Sequence, residues 1–221
     1  MTGYDKSDFW AVKARNEGYP ARSVYKLQEL VEKFSLLPPD LAGFRALDLG
    51  AAPGSWSLFL LREYRRRFRA RGGSPPPFLA AADLSPLSSG GGNAPAHGRE
   101  FFSGENFFFL EGDFTRPENR ETLRARGPYH LIVSDAAPAT TGSRTVDTLR
   151  SLSLAEEALL YAETALVSGG HFLVKVFQGG DTAALLKKIR SLFRAGKTFK
   201  PRASRPESFE TYYVGLEKKG P

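Results

Sequence analysis

Apolar residues return at Val24, Leu27, Leu30, Val31 and Phe34, between Tyr19-Pro20 and Pro38-Pro39. That is the spacing of one helix face, closed by a proline pair. The pattern then shortens. Phe44–Leu49 reads as a strand, Gly50–Gly54 as a turn, and about Ser55 to Phe68 as a helix, which Gly72-Gly73-Ser74-Pro75-Pro76-Pro77 breaks. Phe78–Ala82, Phe107–Leu110, Tyr129–Ser134 and His171–Phe177 read as further strands. A long helix carrying Leu149, Leu152, Leu159, Leu160 and Leu166 is expected before the fifth strand, with Gly169-Gly170 as its cap. A helix over Thr182–Phe193 and a strand over Thr211–Leu216 complete the series. Strands alternating with helices predict an α/β fold built on a mostly parallel sheet. In such open sheets ligands bind beyond the carboxyl ends of the strands. The stretch Ser85–Gly104, rich in Gly, Ser, Pro and Asn, is expected to be a flexible loop, and no internal repeat is present.

Composition narrows the picture. The 221 residues predict a single domain over 1–221, with a core at 20–218. No run approaches the ~18 apolar residues of a membrane span, and Met1–Lys6 has no apolar leader pattern. The absence of cysteine excludes disulfides, thiolate metal sites and cysteine nucleophiles. A cytoplasmic protein is expected, acting without a membrane. The net charge of +7 calls for a polyanionic partner. Arg62, Arg65, Arg66, Arg67, Arg69 and Arg71 crowd one segment, and Lys187–Arg205 holds eight basic residues and no acidic one. Each cluster reads either as a phosphate-binding surface or as a solvated face.

The strand ends carry the chemistry. The first runs into Asp48-Leu49-Gly50-Ala51-Ala52-Pro53-Gly54-Ser55-Trp56. Small residues there let backbone approach a ligand, and the helix start offers free N–H groups. It is not a G-x-G-x-x-G dinucleotide turn. Asp83 follows the second strand, where a carboxylate suits ribose hydroxyls, and Asp113 follows the third. Asp135 ends the fourth. Lys175 stands between Val174 and Val176 in the fifth, and a lysine inside an apolar strand needs a partner or a function. His97, His130 and His171 are scattered and form no metal-ligand cluster.

These motifs, with Arg22-Ser23-Val24-Tyr25-Lys26 upstream and Ser204-Arg205-Pro206-Glu207-Ser208-Phe209-Glu210-Thr211-Tyr212 downstream, resemble the FtsJ/RrmJ family of RNA ribose 2′-O-methyltransferases from about Ala21 to Lys218. The resemblance implies the Rossmann-like methyltransferase version of the fold, a seven-stranded sheet with a reversed final strand and helices on both faces. It implies S-adenosylmethionine as cofactor, with Gly50, Ala51, Pro53, Gly54 and Trp56 near its methionine part, Asp83 at its ribose, Asp113 at its adenine, and Asp135 beside it. It implies a catalytic tetrad of Lys26, Asp135, Lys175 and Glu210, with no metal. Ala139 replaces a usual Asn, Phe209 replaces a usual basic residue, and the loop at 85–104 is longer than in compact members.

A sugar hydroxyl is a poor nucleophile until its proton is shared or removed, so such an enzyme must align the oxygen and assist deprotonation. Lys175 fits either as the base or as a cation that stabilises the developing alkoxide. The implied substrate is a uridine ribose in large-subunit, 23S-type ribosomal RNA, recognised by a monomer on naked RNA or on the large subunit. A tRNA methyltransferase and an inactive RNA-binding assembly factor are the alternatives. The intact tetrad argues against the second, and the basic clusters argue against a small-molecule substrate.

Overall fold

The short apolar runs of the chain become the middle of one sheet. The computed structural model describes residues 4–68, 75–88, 99–179, 182–205 and 207–220. Its strands are β1 (Arg45–Leu49), β2 (Phe78–Asp83), β3 (Phe107–Glu111), β4 (Tyr129–Ser134), β5 (Leu166–Phe177), β6 (Phe193–Phe199) and β7 (Glu210–Lys218). Their order is β3-β2-β1-β4-β5-β7-β6. The first five pair in parallel, and β7 runs antiparallel to both β5 and β6. The α/β fold with a reversed final strand is the one the motifs implied.

Both faces are covered, which is why the central strands read as continuous apolar runs rather than as alternations. On one face α2 (Val24–Phe34) and α3 (Ser55–Arg67) pack over Leu79, Leu131, Leu173 and Val214. On the other, α4 (Pro117–Arg124), α5 (Arg144–Ala165) and α6 (Thr182–Leu192) cover Leu47, Ile132, Phe172 and Val174. An N-terminal helix α1 (Tyr4–Asn16) precedes them. Because β1 has β2 on one side and β4 on the other, the chain reverses its winding there. A crevice opens at that switch point beyond the carboxyl ends.

Several expectations change. Gly169-Gly170 does not cap the long helix. Helix α5 stops at Ala165, Leu166 already pairs with Tyr129, and the ladder shifts register before resuming at His171 and Leu131. The glycines serve that irregularity. Gly169 has φ +80°, and a Cβ on Gly170 would lie 3.0 Å from the His130 carbonyl oxygen. The helix expected to run to Phe193 ends at Leu192, and Phe193 opens the unexpected strand β6. Asp83 is the last residue of β2 rather than the residue after it. Helices α1 and α4 were not expected either. In the expected flexible loop, residues 89–98 lie outside the described residues, and Arg99–Phe102 forms a 3₁₀ turn.

Candidate active site

The glycine turn after β1 is built by close backbone approach. Gly50 has φ +76°, and a Cβ there would lie 2.5 Å from the Cα of Ala136, so the turns after β1 and β4 touch only because this residue is glycine. The N–H groups of Gly50 and Ala51 both donate to the Ala82 carbonyl, at 2.9 and 3.1 Å. The Ala52 N–H donates to Asp83 Oδ2 at 2.9 Å, while Asp83 Oδ1 accepts from Ser85 N–H at 2.9 Å. Asp83 therefore clamps the turn. A carboxylate offers about four acceptor positions, so capacity remains for a ligand's hydroxyls. Asp113 is anchored in the same way. Its Oδ1 accepts from the hydroxyl and the N–H of Thr115 at 2.7 and 2.9 Å, which holds the carboxyl below its ordinary pKa.

These groups line one crevice of about 390 Å³. Gly50, Pro53, Asp83, Asp113, Asp135 and Lys175 all border it, together with Ser23, Ala52, Leu84 and Phe114. Leu84 is 74% exposed, which leaves an apolar wall beside the Asp83 carboxylate. Three expected residues stand elsewhere. Ala51 is buried with its N–H spent inside the turn. Gly54 caps α3 and faces the Phe102 ring. Trp56 is buried, and its Nε1–H donates to the Ser23 carbonyl at 2.9 Å. It holds α2 onto α3 rather than bordering the crevice.

The four tetrad residues come together as two ion pairs. Lys175 Nζ lies 3.0 Å from Asp135 Oδ1 and donates to the Asp135 carbonyl at 2.6 Å. Lys26 pairs with Glu210. The first pair has Lys175 on the crevice wall. The second lines an adjoining hollow of about 400 Å³ with Arg22, Arg205 and Ser208, and Ser23 borders both cavities. Strand pairing explains the meeting: Lys175 on β5 is opposite Tyr212 on β7, which places Glu210 two residues further along the rim.

Tyr212 belongs to this constellation and was not singled out among the site residues. Its hydroxyl donates to Asp135 Oδ1 at 2.8 Å. Burial first, then the charge of Asp135, holds the phenol well above its ordinary pKa, so it keeps its proton and remains a donor. The signal was available in the period of two along a strand, which puts Tyr212 on the face of Glu210. Asp135 thus receives hydrogen bonds from the Tyr212 phenol and the Lys175 side chain, which fixes the Lys175 nitrogen at the crevice. The arrangement can hold a hydroxyl oxygen and pass its proton.

Known proteins point the same way. Residues 19–218 match the family model described as FtsJ-like methyltransferase. The chain is 43% identical to the ribosomal RNA large subunit methyltransferase E of Treponema denticola over 217 residues, 98% of each protein. It is 42% identical to the enzyme of that name from Oleidesulfovibrio alaskensis over 214 residues, 96% of this chain and 92% of the other. The fold matches a Plasmodium falciparum crystal structure described as a ribosomal RNA methyltransferase, with TM-score 0.71 and 23% identity over 92% of this chain and all of that one. It also matches human methyltransferase-like protein 13 in complex with SAH, with TM-score 0.52 and 14% identity, covering 95% and 82%. With the switch-point crevice, the paired lysines and a match that spans nearly the whole sequence, the chain belongs to the FtsJ-like methyltransferase family.

Proposed function

We propose that the protein transfers a methyl group from S-adenosylmethionine to the 2′-hydroxyl of a uridine ribose in large-subunit ribosomal RNA. The observation that carries this reading is the Lys175 amine, held between the Asp135 carboxylate and carbonyl where the crevice meets the hollow of Lys26 and Glu210. The names of the similar bacterial enzymes supply the RNA class.

The crevice suits that cofactor. The Asp83 carboxylate would accept hydrogen bonds from ribose hydroxyls, Asp113 would accept one from an adenine amino group, and Leu84 with Phe114 would give the ring an apolar bed. S-adenosylmethionine, when bound, supplies a methyl group on a positively charged sulfur. The protein's own groups do the rest. Gly50 lets the turns after β1 and β4 lie in contact at the mouth of the crevice. Lys175 binds the acceptor oxygen and takes up or shares its proton. Asp135, itself fixed by Tyr212, orients that amine. Lys26, neutralised by Glu210, lines the side from which the RNA enters. A monomer acting in the cytoplasm accounts for the reading without a further subunit.

The test is single-turnover methyl transfer to large-subunit RNA from cells lacking the gene, at saturating cofactor. Wild-type protein is expected to transfer one methyl per RNA. Lys175→Ala should lose at least the roughly 100-fold typical of a missing acid–base group while keeping cofactor affinity. Lys175→Arg should not restore the rate, because a guanidinium keeps its proton and has a different shape. Near-normal transfer by Lys175→Ala would reduce Lys175 to a structural ion pair.

A further inference from the structure

We propose that the rim beside the tetrad holds a seat for a nucleobase next to the methylated nucleotide, formed by Phe209 and Arg144 with Leu149 and Thr148 behind them. The inference rests on the RNA reading above and adds a base contact to it.

Phe209 directly precedes Glu210, and its carbonyl accepts from Gln178 N–H at 2.8 Å, which extends the β5–β7 pairing to the rim. Its half-buried ring meets Phe177 edge-on at 4.7 Å, and Arg144, from the first turn of α5, stands 5.3 Å over it. Phe177 lies two residues beyond Lys175 on β5, about 7 Å along the strand. The aromatic platform therefore begins where a neighbouring nucleotide would leave the acceptor site.

Arg144 also borders a small cavity of about 220 Å³, with Thr145, Thr148, Leu149 and Gly179. Two features of this cavity stand out among the described residues. Leu149 is 57% exposed, beside Val146 at 38%. Thr148 is 3% exposed, and its hydroxyl has no hydrogen-bond partner among the described residues, although a helical threonine commonly bonds a carbonyl one turn back. Gly179 has φ +139°, and a Cβ there would crowd that hydroxyl at 3.3 Å, so glycine suits the cavity floor. Flat apolar faces, a polar edge and an adjoining phosphate are the chemistry of an unstacked nucleotide. RNA readers receive such bases on aromatic rings and arginine planes, and bond their edges to side chains.

The test combines protein and RNA changes. Phe209→Ala should raise KM for large-subunit RNA roughly tenfold, the scale of one lost stacking contact, with kcat and cofactor Kd near wild type. Phe209→Trp should restore KM and Phe209→Lys should not. Leu149→Glu, remote from the tetrad, should raise KM in the same way. RNA rebuilt by ligation with an abasic nucleotide on either side of the target should show a raised KM with wild-type protein on one side. In Phe209→Ala that same abasic change should cost little more, as expected of coupled partners. Wild-type protein that methylates RNA, with KM unmoved in Phe209→Ala and Leu149→Glu, overturns the seat alone. So does an abasic penalty of full size in Phe209→Ala. A wild-type protein that transfers no methyl to RNA overturns the RNA reading and this inference with it.

Discussion

Asp48 is fully buried beneath the glycine turn. Its Oδ2 accepts from the Ser57 hydroxyl at 2.7 Å, and its Oδ1 has no hydrogen-bond partner among the described residues. Burial, helped by repulsion from Asp135 and Asp83, pushes its carboxyl up to about 7. In the unfolded chain an aspartate titrates near ~3.9. Below that pH both states are protonated and the native state carries no penalty. As pH rises from about 4 to about 7 the unfolded chain loses a proton the native state keeps, so stability falls through this window. Asp48→Asn should therefore gain on wild type as pH rises from ~4 to ~7, measured by urea unfolding across that range. Parallel pH profiles for the two proteins would show that the buried carboxyl imposes no such cost. Sequence revealed Lys175 because a lysine between valines in a strand demands a reason. It did not reveal Tyr212, because a tyrosine in an edge-ward strand is ordinary until its hydroxyl is seen on Asp135.

At the scale of elements, α2 carries Lys26, and its position depends on α3. The Trp56 indole donates to the Ser23 carbonyl, and the Ala21 N–H donates to Ser55 Oγ at 2.7 Å, so two bonds fix the start of α2 over the crevice. Trp56→Phe keeps an aromatic ring but removes the indole N–H bond and some buried volume. The Ser23 carbonyl keeps the Lys26 N–H at 3.0 Å, so the lost bond should cost about 0.5–1.5 kcal/mol of stability, with a further loss from packing, and turnover should fall more than cofactor affinity. A selective loss of cofactor binding in calorimetry would instead place Trp56 at the cofactor. The strands over Tyr129–Ser134 and His171–Phe177 were legible because sheets covered on both faces are built from unbroken apolar runs. Helix α4 was not, since only Leu123 of its eight residues is buried and no apolar stripe forms. Its one signal was Pro117 in the first turn. Strand β6 hid among charges because it is an edge strand with Arg194 and Lys197 exposed.

Across the whole molecule the two basic clusters part. The described arginines of the first each meet a partner within the protein, although Arg65 and Arg66 stay mostly exposed. Arg66 and Arg67 pair with Glu63, Arg65 with Glu100, and Arg62 stacks on Tyr19. Arg69 and Arg71 lie outside the described residues. The second cluster is spread over α6, β6 and the following loop at the opposite sheet edge, where Lys197, Lys200 and Arg202 are exposed. Replacing these three with glutamine should flatten the dependence of log affinity for RNA on log salt by about 2, since each lost contact to single-stranded phosphate removes about 0.7. Cofactor affinity should not move. Neutralising Arg62, Arg65, Arg66 and Arg67 should leave the slope nearly unchanged, and an equal effect from both sets would reverse the assignment. The account stands most directly on where the methyl group lands. Large-subunit RNA from cells lacking the gene, treated with the purified protein and methyl-labelled S-adenosylmethionine, should be hydrolysed in alkali and its fragments separated. A ribose that carries the methyl has lost the hydroxyl that attacks its own phosphodiester, so the account predicts label in a single alkali-resistant dinucleotide that begins with uridine. Label in alkali-labile mononucleotides, which marks methylation of a base, would contradict it.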